Sequence, residues 1–236
     1  MNLRLPFPGT ERSTPVTLAA AGVLACVVVG CAHTTDGSAV RASTSSSTTT
    51  SSAPRRSDPA EPVPGVETTL PDHIPPNAMV CFPSPAGSGR MTVASVADPV
   101  APRLTVPIPD GWNSSPGTGD VALTANGPDG LSIKVTITAT DLEPGGAFLR
   151  YGAELRTSRP DVRDTVVAAQ FCGYSSQLIT GTIGGPGGVG FADRITHIWT
   201  NTKAFLAAIH LEGPAGAAGL EAAKSTAMQQ FAVVIP

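Results

Sequence analysis

The sequence is short of charge and short of aromatic rings. Of its 236 residues, 14% are Asp, Glu, Lys or Arg and 5% are Phe, Trp or Tyr. The 15 Lys and Arg against 18 Asp and Glu leave a net charge of -3, and the cations are scattered along the chain. Nucleic-acid partners are excluded on that ground, because phosphate contacts need clustered Lys and Arg. Cysteine and histidine are scarce, at four each. Neither Cys81 nor Cys172 has a second Cys or His at ligand spacing, so no metal site and no cofactor is expected. What is plentiful is Gly, at 25, and Pro, at 23, which points to a loop-rich domain with a modest core.

One apolar run stands out near the start. Val16 to Gly30 is uncharged and mostly Ala, Val, Leu and Gly. As a helix it would be roughly 22 Å long, short of the roughly 30 Å of a bilayer core. It suits the h-region of a signal peptide, with Arg4 and Arg12 as a weakly basic n-region diluted by Glu11. The run ends in Val28-Val29-Gly30-Cys31, which resembles a bacterial lipobox. That resemblance implies a diacylglycerol on the Cys31 thiol, cleavage before it, and a membrane reached through the acyl anchor. Cys26 in Val23-Leu24-Ala25-Cys26 competes as the site but leaves a shorter h-region, and an uncleaved anchor is the remaining alternative. Two acyl chains hold more firmly than one, since each buried CH₂ adds about 0.8 kcal/mol.

The expected organisation is a signal peptide at 1–30, a tether at 31–71 and a single domain at 72–236. The tether contains "SAVRASTSSSTTTSSAPRRSDPA", which has no apolar periodicity and too little apolar surface to offset ordering entropy. About forty such residues span roughly 35 Å as a flexible coil.

Within the domain, Leu131 to Thr140 alternates strictly, apolar at odd and polar at even positions. That predicts a strand with one buried face in an antiparallel sheet. Asn126-Gly127 and Asp129-Gly130 predict a hairpin, and Thr200 to Lys203 a second one joining "FADRITHIW" to "AFLAAIHLE". Ala147, Tyr151 and Leu155, with Phe148, form an apolar stripe on a helix over Glu143 to Arg156, with Pro144 in its first turn. A second helix is expected from Pro214 to Phe231. The fold class is α+β, a mainly antiparallel sheet packed with helices.

The lipobox, the Ser/Thr-rich tether, Val106-Pro107-Ile108-Pro109-Asp110-Gly111-Trp112 and the closing Val234-Ile235-Pro236 together resemble the LpqN-type lipoproteins of mycobacteria, over roughly Arg103 to Pro236. The resemblance implies a PsbP-like sandwich in a cell-envelope protein with no established enzymatic activity. Cys81 and Cys172 depart from that pattern, and Asn77 to Val100 has no counterpart in it.

Export permits Cys81 and Cys172 to form a disulfide, with two buried free thiols as the alternative. Gly173-Tyr174-Ser175-Ser176-Gln177 approaches the nucleophile elbow G-x-S-x-G, but Gln177 stands where the elbow needs a small residue. Gly185 to Gly190 formally fits G-x-G-x-x-G, yet it opens a strand rather than a helix, so it reads as a hairpin loop. His197 and His210 fall on neighbouring strands with no evident carboxylate partner beyond Glu212. No catalytic residue is assigned. Trp199, Tyr151 and Phe148 are the candidates to line a cleft for an apolar or glycolipid ligand. The competing expectation is a patch offered to an envelope or host protein.

Overall fold

The computed structural model describes residues 62–68, 75–81 and 89–236. The expected signal peptide, Cys26, Cys31, His33, His73 and most of the tether lie outside the described residues. Eleven strands and two α-helices follow one another among those that are described. They are β1 (Met79–Val80), β2 (Arg90–Ala94), β3 (Arg103–Ile108), β4 (Asn113–Pro116), β5 (Val121–Asn126) and β6 (Ser132–Thr140). After α1 (Pro144–Ser158) come β7 (Val162–Ala168), β8 (Ser176–Ile183), β9 (Val189–Trp199) and β10 (Ala204–Pro214). Helix α2 (Leu220–Ala227) and β11 (Ala232–Val234) close the chain. Two sheets result, a four-stranded one in the order β1-β11-β3-β2 and a seven-stranded one in the order β4-β5-β6-β10-β9-β8-β7. Every pairing is antiparallel. The fold is α+β, as expected.

The alternation in β6 does what period two requires. Ile133, Val135 and Ile137 are buried, while Lys134 is exposed and Ser132 and Thr136 are half-buried. Those inward side chains meet Leu104, Val106 and Ile108 of β3 and Val233 of β11, with Ile209 and Leu211 of β10 between them. Fully burying one such side chain stabilises by about 1.5–3 kcal/mol. Ala223 and Ala227 of α2, with Phe231 beyond it, fill the same layer. Strand β9 is buried on both faces from Gly190 to Ile198, because the opposite face of the large sheet carries a second cluster. There Phe148 of α1 packs on Ile179, Phe191, Ile195 and Ala208.

The turns follow their residues. Pro109-Asp110-Gly111 turns with Gly111 at φ +81°, and Trp112 is 6% exposed beyond it. Its indole packs against Gly127 of the β5–β6 hairpin, where a Cβ would stand 2.2 Å from the ring. Asn201 takes φ +68° in the β9–β10 hairpin, a left-handed position that Asn tolerates better than most residues.

Two expectations need correction. The closing helix is not Pro214 to Phe231. Pro214 ends β10, Gly216 turns at φ +88°, and only Leu220–Ala227 is helical. Two glycines in the first turn and a half cost too much helix propensity, while Ala223, Ala227 and Phe231 are buried and Leu220 is half-buried. The segment expected as tether over 31–71 also contains structured residues. Pro62–Thr68 already lies on the large sheet, with Val63 and Val66 packed on the Phe148 cluster.

Cys81 and Cys172 are joined in a disulfide, with Cα atoms 5.8 Å apart. The bond pins the entry segment to the turn before β8. Arg194 secures the same turn from within, donating to the Ala169 carbonyl at 2.7 Å and the Met228 carbonyl at 2.6 Å. It also lies 4.7 Å over the Phe171 ring, and burial lowers its pKa to about 10.

Candidate ligand-binding site

Helix α1 begins at Pro144, whose missing N–H costs nothing in a first turn. Its buried face, Ala147, Phe148 and Gly152, rests on the large sheet. The segment Pro62–Thr68 runs alongside as a strap. Ser176 N–H donates to the Gly65 carbonyl at 2.9 Å, Glu67 N–H to Ser175 Oγ at 2.8 Å, and Gln177 Nε2 to the Pro64 carbonyl at 2.7 Å. Only glycine fits the closest approach: a Cβ on Gly65 would stand 2.0 Å from the Ser176 carbonyl oxygen.

Between strap, helix and sheet lies a cleft of about 410 Å³. Val63, Phe148, Leu149, Val166 and Ile179 make half of its lining, and Arg156 also borders it. Phe148 is buried at the base, whereas Leu149 is 63% exposed at the mouth. Arg156 is committed to Asp164, with Nε 3.1 Å from Oδ1. The space therefore offers apolar surface and no free charge from Arg156.

On the other flank of α1 the sheet turns polar. A cavity of about 230 Å³ is lined by Lys134, Tyr151, Glu154, Ser158, Arg159 and His210 among others. His210 Nδ1 meets the fully buried Asp193 carboxylate. Its Nε2 lies 3.1 Å from Glu212 Oε2, and Arg159 Nη1 donates to the same oxygen at 3.1 Å. Burial opposes a charge on His210, but the hydrogen bonds and charges of Asp193 and Glu212 outweigh it and hold its pKa above the ordinary value. Burial likewise works to raise Glu212, and His210 and Arg159 overcome it, leaving its pKa below the ordinary value. Burial first, and then the Asp193 charge, push the Tyr151 phenol well above its ordinary range. An imidazole held at both nitrogens by carboxylates has its protonated form favoured, and both nitrogens are already engaged.

The other sequence candidates fall apart from one another. Ser175 is buried, and its Oγ accepts from Glu67 N–H instead of standing exposed on an elbow. His197 points elsewhere, with Nε2 3.0 Å from the Leu142 carbonyl, and burial lowers its pKa. Gly185 to Gly188 close the β8–β9 hairpin. The three aromatics do not share a site. Phe148 underlies the apolar cleft and Tyr151 the polar cavity, while Trp199 is 43% exposed at the end of β9 and lines neither. The partner that sequence reading missed for His210 is Asp193, directly opposite it across the β9–β10 pair.

No family model matches the chain, and no curated protein matches it. Among solved structures the chain is similar to a crystal structure of LpqN from Mycobacterium tuberculosis, described as involved in cell envelope biogenesis. The identity is 18%, the match covers 61% of this chain and 91% of that one, and the TM-score is 0.49. Membership of that family is not established by a match of this size. No helix among the described residues is long and apolar enough to cross a membrane.

Proposed function

We propose that this chain is an exported envelope protein, acyl-anchored at Cys31, whose domain binds an apolar or glycolipid ligand without chemistry of its own. The observation that carries the binding reading is the cleft of about 410 Å³ beneath α1. Ligand pockets generally enclose about 300–1,000 Å³ and are mostly apolar with a few placed polar groups. Export and anchoring rest on the first thirty-one residues of the sequence. Native mass spectrometry of the protein taken from its own envelope tests the binding. A co-purifying lipid lost in Leu149→Asp supports it, and a bare monomer contradicts it. Labelling with an alkyne fatty acid tests the anchor: the label disappears in Cys31→Ala, and unchanged labelling moves the site to Cys26.

A protein partner is the second reading, favoured by the outer edge of the small sheet. Among the described residues strand β2 pairs only with β3 there, and Met91 and Val93 on its outer face are 41% and 60% exposed. An open edge with apolar side chains suits strand addition by a peptide. Crosslinking from position 93 that captures one envelope protein, with no lipid bound to the domain, favours this reading over the first.

A further inference from the structure

A larger cavity, of about 550 Å³, opens on the other face of the seven-stranded sheet, away from α1. Register builds its first wall. Arg163 of β7 stands opposite Thr182 of β8, and Thr165 opposite Thr180. Those four side chains point the same way because partners across a ladder share a face. The next strand presents only Gly190 and Ala192 to them, so the floor is low. Leu211 of β10 and Leu220 of α2 close the far side. Gly190 keeps the floor open under the helix, since a Cβ there would stand 2.7 Å from Leu220 Cδ2.

The charges around this cavity are unequal in their commitments. Asp164 alternates to the opposite face, where Arg156 holds it. Lys224 is paired with Glu221 at 2.5 Å. Arg163 has no carboxylate partner among the described residues. A free guanidinium beside three threonine hydroxyls faces an apolar floor and wall. A guanidinium fork matches the two oxygens of a carboxylate or phosphate, and hydroxyls supply the remaining donors. A neutral head would leave Arg163 unmatched, and a bare anion would leave the half-buried Leu220 uncovered.

The geometry points to this cavity as a binding site for a single-chain amphiphile with an anionic head, the head on Arg163 and the threonines, the chain over Ala215 and Leu220. It is a second site, independent of the cleft beneath α1. The test uses the full chain with its disulfide intact and ¹³C-labelled Leu and Ile methyl groups, titrated with laurate, dodecyl phosphate, dodecyl maltoside and inorganic phosphate. Leu211 and Leu220 report this cavity and Ile179 the cleft beneath α1, so the two proposals fail separately. The expected result is a saturable shift of the Leu211 and Leu220 methyls with laurate or dodecyl phosphate, weakened at least tenfold in Arg163→Gln. The stronger of the two names the head as carboxylate or phosphate. Equal shifts of Leu220 with dodecyl maltoside, equal affinity for inorganic phosphate alone, unchanged affinity in Arg163→Gln, or no shift at all would each overturn the proposal. Arg163 is exposed on an edge strand, so its replacement leaves the fold intact, and an unchanged melting temperature verifies that.

Discussion

The two faces of the seven-stranded sheet are built to different specifications. Towards the small sheet, β6 and β10 present Ile133, Val135, Ile137, Ile209 and Leu211, each at most 2% exposed and packed on another strand. Towards α1 the same strands present Lys134, Thr136, Ala208 and His210, and the helix covers them incompletely, leaving cavities on both of its flanks. Where β6 and β10 meet the small sheet that face is closed and apolar, so those side chains have nothing to do but pack. The other buries Asp193 and holds His210 against it, an arrangement that stabilises less than apolar packing of the same volume. A sheet that keeps such groups has given up stability on that side, and ligand chemistry is to be sought there and at the β7–β9 end of the other face, where the second cavity opens.

Perturbing the closed side should cost most. Reducing Cys81–Cys172 opens a loop between residues 91 apart in sequence, worth about 4–5 kcal/mol in the chain-entropy model. Urea melts with and without reductant measure it, and a loss under 1 kcal/mol would mean that the packing around Phe171 and Phe231 holds the entry segment unaided. Ile209→Ala, at the centre of the closed face, should cost about 2–5 kcal/mol, read as a shift in the urea midpoint at constant slope.

The polar side should respond to pH instead. The folded-state pKa of His210 is raised, so its contribution is fully present below the ordinary value of about 6.5 and is lost as pH rises through the folded value. Stability measured from pH 6 upward should therefore fall more steeply in the native chain than in His210→Gln. Identical slopes would sever the His210–Asp193 link from stability. Smallest of all is Leu149→Ala at the mouth of the apolar cleft, expected within about 0.5 kcal/mol of the native chain while weakening ligand binding severalfold. A large loss of stability there would make Leu149 part of the core rather than the rim.

Much of this division was legible in the residues. The alternation of β6, both hairpins and the α1 stripe follow from local pattern, because period and turn chemistry are written within a few residues. The Asp193–His210 pair was within reach as well. Once the hairpin sets Trp199 against Ala204, stepping six residues along each strand sets Asp193 against His210. What could not be read was tertiary. Pro62–Thr68 has the composition of a tether, and it is ordered by partners more than a hundred residues away, Ser175, Ser176 and Gln177. Trp199 was a candidate aromatic for a ligand, yet it is 43% exposed at the end of β9 and lines neither cavity beside α1. Pro214 suits a helix start as well as it suits the last residue of an edge-facing strand end, and only the pairing with Val189 decides between them.

The most direct test of the contrast between the faces is a methyl spectrum of the domain with the lipid extract of its own envelope. The account predicts shifts at Leu149, Val166 and Ile179, with Leu104, Val135 and Ile209 unmoved. Shifts concentrated on Leu104, Val135 and Ile209, or a spectrum indifferent to lipid, would contradict it.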